Sequence, residues 1–142
     1  MILSKSCEYA VRATVYVAFK SQKGEKAGII EIAKAIGSPM YFTGKILQTL
    51  VRKKILSSAK GPNGGFFVEN GQTLFLIDII RAIDGNCLFS ACVLGLEKCS
   101  ATEPCPMHEQ VKPIRDMLLA EFSKQSVNEL VHDFEKNNYF LK

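Results

Sequence analysis

No stretch of this 142-residue chain is apolar for long enough to cross a bilayer. The longest run, Leu74–Ile80, is broken by Asp78, where a spanning helix needs about 20 apolar residues. The opening Met1-Ile2-Leu3-Ser4-Lys5 lacks the hydrophobic region of a secretory signal, so the expectation is a cytoplasmic protein with no targeting segment and no membrane partner. Internal repeats and low-complexity tracts are missing too. The glycine-rich stretch Gly61–Gly65 is not a nucleotide loop, because no Gly-Lys-Ser/Thr follows it at the required spacing. A cysteine-protease reading needs a Cys, a His and an oxyanion site converging, and nothing supplies the third. The expectation is therefore a binding protein and not an enzyme.

What is present is an uneven charge. The net +4 conceals a first half, residues 1–68, with eleven Lys/Arg against three Glu, a net +8. Residues 69–142 carry seven Lys/Arg against eleven Asp/Glu, a net −4. Positive charge gathered in one half suits a polyanion such as DNA. Hydrophobic residues make up 47% and charged residues 23%, enough for one cored domain with an appended dimerisation element.

The pattern along the chain is mostly α with a small β-hairpin. Ser4 caps a first helix to about Lys20, with Tyr9, Ala13, Tyr16 and Val17 on its apolar face. Ile29, Ile32, Ala33 and Ile36 keep helical spacing until Gly37, a C-cap signal. Ser38 then reads as an N-cap with Pro39 at the first helical position, opening a helix that turns Phe42, Ile46, Leu47 and Leu50 inward. Two short helices about a tight turn make a helix-turn-helix. Behind it, Ile55–Lys60 and Phe66–Val68 read as strands joined by a Gly-Pro-Asn-Gly-Gly turn, which is a wing. Thr73–Asp84 is an amphipathic helix with Leu76, Ile79, Ile80 and Ile83 buried. Residues 85–106 form a long Cys-, Gly- and Pro-containing loop of the kind that carries function. Met107, Val111, Ile114, Leu118 and Phe122 then make an apolar stripe for a partner helix, and Pro113 predicts a kink or a helix start. Ser126-x-x-Glu129 is a capping box for a last short helix. Three units follow: a winged helix-turn-helix over 1–84, a cysteine-rich loop over 85–106, and a dimerisation helix with a C-terminal helix over 107–142.

Five cysteines, an odd number, with four of them between Cys87 and Cys105, favour a metal or redox role over disulfides in a reducing cytosol. Cys92, Cys99 and Cys105 offer three thiolates on one loop, with His108 three positions on, a donor set suited to an iron–sulfur cluster. Zinc is the competitor, though structural zinc sites favour pairs two to four residues apart. Cys87 reads as a small core or loop residue, Cys7 as packed on the first helix, and His132 as ordinary surface.

Several of these segments, taken together, are specific. The chain resembles the IscR/NsrR type of bacterial regulators over Ser4–Arg12, Phe42–Gln48, Leu56–Phe66, Ile79–Asp84 and the Cys92/Cys99/Cys105/His108 array. The resemblance implies a homodimer whose long C-terminal helices cross, each wing and recognition helix meeting one half-site of a palindromic double-stranded operator. It implies a cluster in many members, a 2Fe–2S cluster ahead of a 4Fe–4S one, that senses redox state, nitric oxide or cluster supply. It also leaves the fourth ligand open between His108 and Glu8, the latter reaching across the dimer. Glu8 and Arg12, four apart, are equally read as a helix salt bridge. The N-terminal residues of a recognition helix meet base edges, here Ser38, Met40, Tyr41, Thr43, Lys45 and Gln48. At the wing, Lys60 is expected on phosphate or in the minor groove, with Asn63 a further DNA-binding candidate and Gly64 and Gly65 allowing close approach. The alternative is a cluster-free regulator of the same fold, controlled by a protein partner or by a direct thiol switch at Cys92, Cys99 or Cys105.

Overall fold

The computed structural model describes residues 2–142 and is helical except for one hairpin. Helix α1 (Lys5–Gln22) is central and packs on the next two helices, on the second wing strand, and on the fourth and last helices. Its buried face is built from small residues, Ala10, Ala13, Thr14 and Ala18, with Val15 and Val17, which lets neighbouring backbones approach closely. Ser4 caps it by accepting the Cys7 N–H at 3.1 Å.

Helix α2 (Ile29–Ile36) ends where Gly37 takes a left-handed φ of 64°. The Ser38 N–H donates to Ala33 O and the Gly37 N–H to Lys34 O, a Schellman closure. That closure corrects the expected cap. Because the Ser38 backbone still belongs to the α2 turn, Pro39 becomes the N-cap and α3 runs from Met40 to Arg52. The Ser38 hydroxyl finds no partner among the described residues.

The wing is β1 (Ser57–Ala59) paired antiparallel with β2 (Gly65–Phe67), Ser58 opposite Phe66. Its turn places Pro62 second, and the Gly64 N–H closes on Gly61 O at 2.9 Å. Phe66 also exchanges both backbone bonds with Ala27, anchoring the wing to the loop before α2.

Helix α4 (Leu76–Ile83) begins where the Asp78 carboxylate accepts the Phe75 N–H. A short helix that the sequence did not announce, α5 (Cys87–Ser90), sits inside the long loop. Helix α6 (His108–Lys124) passes through Pro113 without a break and starts well before it. The lost donor would have served the carbonyl of Glu109, and both residues are exposed, so water can take its place. Helix α7 (Val127–Asn137) opens with the expected capping box, Ser126 and Glu129 bonding each other's backbone N–H.

Grouping α7 with α6 as one C-terminal unit needs correction. The segments before α4 and α7 pair, with Leu76 N–H on Gln125 O and Val127 N–H on Leu74 O. This returns α7 to α1, and Val127 and Val131 are buried in the same core as Ile32, Leu47 and Leu50. The α6 stripe divides likewise. Phe122 stacks edge-on against Phe89, and Val111 and Leu118 are half-buried, whereas Ile114 is exposed together with Met117, which lies outside the expected stripe. Among the described residues no helix is long and apolar enough to cross a membrane.

Candidate nucleic-acid interface and cysteine pocket

Helix α3 shows one face to the core and one to solvent. Ile46, Leu47 and Leu50 are buried, and Thr43 joins them at 0% exposure. The Thr43 hydroxyl donates to Pro39 O at 3.0 Å, so this residue leaves the set of base-reading candidates. Its three-residue offset from Ile46 carried the signal. On the outer face, Met40 is 56% and Tyr41 76% exposed, and Lys45 and Gln48 are exposed beside them. Tyr41, Lys45 and Gln48 fall at steps of four and three and form one stripe. The Lys45 Nζ lies 4.7 Å from the centroid of the Tyr41 ring. Ser38 is half-buried at the edge of this face.

Ile30 was not singled out from the sequence, yet it is 73% exposed next to α3. It lies off the stripe Ile29, Ile32, Ala33, Ile36, which was the available clue. Between α2 and α3 runs an open groove of about 1140 Å³ lined by Ile29, Ile30, Met40, Tyr41, Gly44 and Lys45 among others. Glu31 on its edge accepts from the Tyr16 hydroxyl at 2.7 Å and pairs with Lys20 at 3.0 Å. Burial pushes its carboxyl up, but these bonds outweigh it and hold Glu31 below the usual range.

On the wing, Lys60 and Asn63 are exposed. The two glycines have a different reason from the expected one. A Cβ on Gly64 would stand 2.2 Å from Ala59 O, and one on Gly65 would stand 2.8 Å from Ala27 O. Both are required by the hairpin and its anchor, whatever lies in front of them.

The long loop folds onto α6 and gathers the predicted donors in two pairs. His108, in the first turn of α6 and 5% exposed, puts Nδ1 3.4 Å from Cys99 Sγ. Cys105 lies near enough to Cys92 to favour its ionised form. The amides of Leu94 and Leu96 point at the Cys92 sulfur and, with Cys105 and Arg115, hold that thiol below its ordinary range against the opposing effect of burial. No three His, Cys, Asp or Glu side chains among the described residues surround a single point closely enough for one metal ion. Arg115 is the residue that sequence reasoning missed. Seven positions after His108, on the same face of α6, it donates to Cys99 Sγ at 3.0 Å and to Ala91 O at 2.6 Å. Its Nε is buried with no partner among the described residues.

Cys87 is exposed at the start of α5 within the long loop, so of the two readings it fits the loop and not the core. Cys7 is fully buried, as expected. The expected Glu8–Arg12 pair does not form. Glu8 pairs with Lys5 at 3.1 Å, while Arg12 donates to Ile36 O and Leu141 O and lies over the Tyr9 ring.

A family model described as "Iron-dependent Transcriptional regulator", Rrf2, matches residues 3–133. The chain belongs to the Rrf2 family. It is a transcriptional regulator and not an enzyme. The HTH-type transcriptional regulator IscR of Photorhabdus laumondii is 26% identical over 95% of this chain and 82% of its own length. Among solved structures, IscR of T. potens superposes with a TM-score of 0.75 at 14% identity over 96% of this chain and 90% of that one. CymR, the global cysteine regulator of B. subtilis, gives 0.73 at 17% identity over 92% and 95%. These likenesses fix the Rrf2 winged-helix fold, and the family binds DNA.

Proposed function

We propose that this Rrf2 regulator binds a palindromic operator as a homodimer, and that an iron–sulfur cluster held by Cys92, Cys99, Cys105 and His108 sets its affinity or sequence preference. The observation that carries the reading is the arrangement of those donors in two pairs, Cys92 with Cys105 and Cys99 with His108. A two-iron cluster takes two protein ligands on each iron, whereas a single zinc ion needs three or four converging donors. When bound, the cluster supplies one-electron redox chemistry and a reactive iron site. The chain's own contribution is positional. His108 is fixed on α6 and Cys92 is held by backbone amides. Arg115 places a positive charge beside the thiolates, offsetting the negative charge they bring together. Glu8, engaged by Lys5, is the weaker candidate for fourth ligand.

The test is anaerobic reconstitution with iron and sulfide, followed by visible spectra and titration of fluorescent duplexes. The expected result is a stoichiometric cluster, lost or shifted in Cys92→Ser, Cys99→Ser, Cys105→Ser and His108→Ala and unchanged in Cys87→Ser, with loaded and empty proteins differing in operator affinity. An unchanged cluster in all three serine variants sinks the assignment.

A second reading is supported by the closeness of Cys92 and Cys105. Hydrogen peroxide oxidises two thiols to a disulfide, and the two electrons and two protons that the thiols give up reduce it to two waters. A colourless protein that resists reconstitution, yet forms this disulfide and changes DNA affinity, favours that switch.

A further inference from the structure

The outward stripe of α3 has a gap. Gly44 lies between Tyr41 and Gln48 on that face, and a Cβ built on it would meet only Ile29 Cδ1, at an ordinary 3.9 Å. Alanine would fit there and is the better helix former, so neither the helix nor the packing within this chain calls for glycine. The missing side chain opens the floor of the groove between α2 and α3, with Ile29 beneath and Ile30, Met40 and Tyr41 around it. Exposed apolar side chains gathered in one concavity mark a contact site. The rim is cationic, because Lys34 and Lys45 line the groove and its one carboxylate, Glu31, is already engaged by Lys20 and Tyr16.

The partner that complements this surface is polyanionic and presents an apolar group toward a helix. In the DNA major groove the only such group is the C5 methyl of thymine. We propose that the Gly44 notch receives that methyl, so that α3 selects a thymine at one position of each half-site by apolar contact with Ile29, Ile30 and Tyr41. The inference rests on the operator reading above. The groove is far larger than a methyl, which lets the edge of the base pair enter and places the methyl on its floor. Lys45, lying on Tyr41, then holds the ring at the mouth of the notch and keeps its charge toward the DNA.

The experiment begins with selection of binding duplexes from a random pool by the wild-type protein. Each thymine of the selected site is then replaced singly by deoxyuridine, which removes the methyl and nothing else. At one thymine per half-site, replacement should weaken wild-type binding about fourfold, the effect of losing one buried methyl-sized group. Gly44→Ala, which fills the notch, should melt no lower than wild type and should bind the two duplexes with a ratio of about one. Ile30→Ser should reduce the ratio in the same way. Retention of selected duplexes with no thymine sensitive to replacement overturns the inference and leaves the operator reading standing. Gly44→Ala discriminating as well as wild type overturns it too. If Ile30→Ser alters self-association while thymine discrimination is intact, the groove seats a second copy of the chain and the inference fails. Failure to retain any duplex overturns the operator reading itself.

Discussion

Asp84 holds the first turn of α1 through Ser4. Its carboxylate accepts the Ser4 backbone N–H at 2.9 Å and the Ser4 hydroxyl as well. That hydroxyl in turn accepts the Cys7 N–H, so one serine is both donor and acceptor in a short relay. Asp84 is also the last residue before the cysteine loop, and α1 packs directly on α3. The loop is therefore anchored to the helix that packs on α3, and in the proposed function this contact is the route by which the cysteine pocket would act on the operator face. Ser4→Ala should cost about 1 kcal/mol as a lost N-cap, and Asp84→Asn about the same as a weakened charged acceptor. The double variant should cost less than the sum, because both act on one network. Strictly additive urea-unfolding energies would show that the relay does not work as a unit.

The same corner makes stability sensitive to alkali. Burial foremost, then the charge of Asp84, its hydrogen bond with the thiol, and the charge of Glu8 push Cys7 up to about 12. A raised thiol stays protonated in the folded protein at pH values where the unfolded chain has already lost its proton. The contribution is thus fully present below about pH 9 and is lost as pH climbs toward about 12. Urea midpoints should fall across that window in wild type and fall less in Cys7→Ala. Equal slopes for the two proteins would refute the assignment. At neutral pH, alkylation mapped by mass spectrometry should label Cys87 and leave Cys7 untouched until the protein unfolds.

In the proposed homodimer, the seam should follow the exposed side of α6. Ile114 and Met117 are 60% and 65% exposed, and Val93, Leu94 and Leu96 of the loop add more uncovered apolar surface. Leu118, by contrast, is half-buried within its own chain. Ile114→Asp and Met117→Asp should therefore split the dimer with little loss of monomer stability. Leu118→Asp should instead destabilise the monomer by several kcal/mol, as a charge forced against apolar neighbours. Sedimentation velocity with thermal melts separates the cases. Dimers that persist in both outer-face variants at low micromolar concentration would place the seam elsewhere.

These outcomes show what the sequence could carry. The Ser126–Glu129 box, the left-handed Gly37 and the Gly-Pro-Asn-Gly turn were legible because each depends on residues within four positions of one another. The candidate thiols and the imidazole could be named because side-chain chemistry is local too, and the reconstitution proposed above decides whether they act as ligands. Thr43 was misassigned although its offset from Ile46 put it on the inner stripe, because its hydroxyl drew it into the polar set and only the packing of α3 on α1 and α2 shows how far the buried face extends. Arg115 was hidden for the same reason: its contacts with Ala91 and Cys99 exist only once the loop folds back on α6. The return of α7 to α1 rests on a backbone pairing between Phe75 and Ser126, 51 positions apart by their numbers. Periodicity within a helix says nothing about such a contact.

DNA affinity should fall steeply with salt, each phosphate contact contributing roughly −0.9 to the log–log slope. Lys60 on the wing is exposed and unencumbered by any ion pair among the described residues. Lys60→Ala should weaken binding across all sequences and flatten the slope by about one unit. A salt-independent affinity would count against the assignment as a whole.

The wing glycines allow folding to be separated from recognition. Gly64→Ala sets a methyl 2.2 Å from Ala59 O, and the obstacle is backbone in the adjoining strand, so no side-chain rotation can relieve it. The hairpin must open or shift, at a cost of about 1–3 kcal/mol of the kind expected for forced overpacking. Gly65→Ala meets Ala27 O at 2.8 Å with φ at 137°, so it should also release the wing from the loop before α2. Asn63→Ala, at the exposed tip, disturbs neither contact. Both glycine variants should lower the melting temperature and lose DNA binding even at low salt. Asn63→Ala should melt like wild type and lose affinity only through contacts it makes to DNA. Amide exchange at Phe66, whose N–H donates to Ala27 O at 2.8 Å, gives a direct reading of the anchor. It should be fast in Gly65→Ala and slow in Asn63→Ala. Equal protection in these two variants would mean that the hairpin tolerates a side chain where the geometry leaves no room for one.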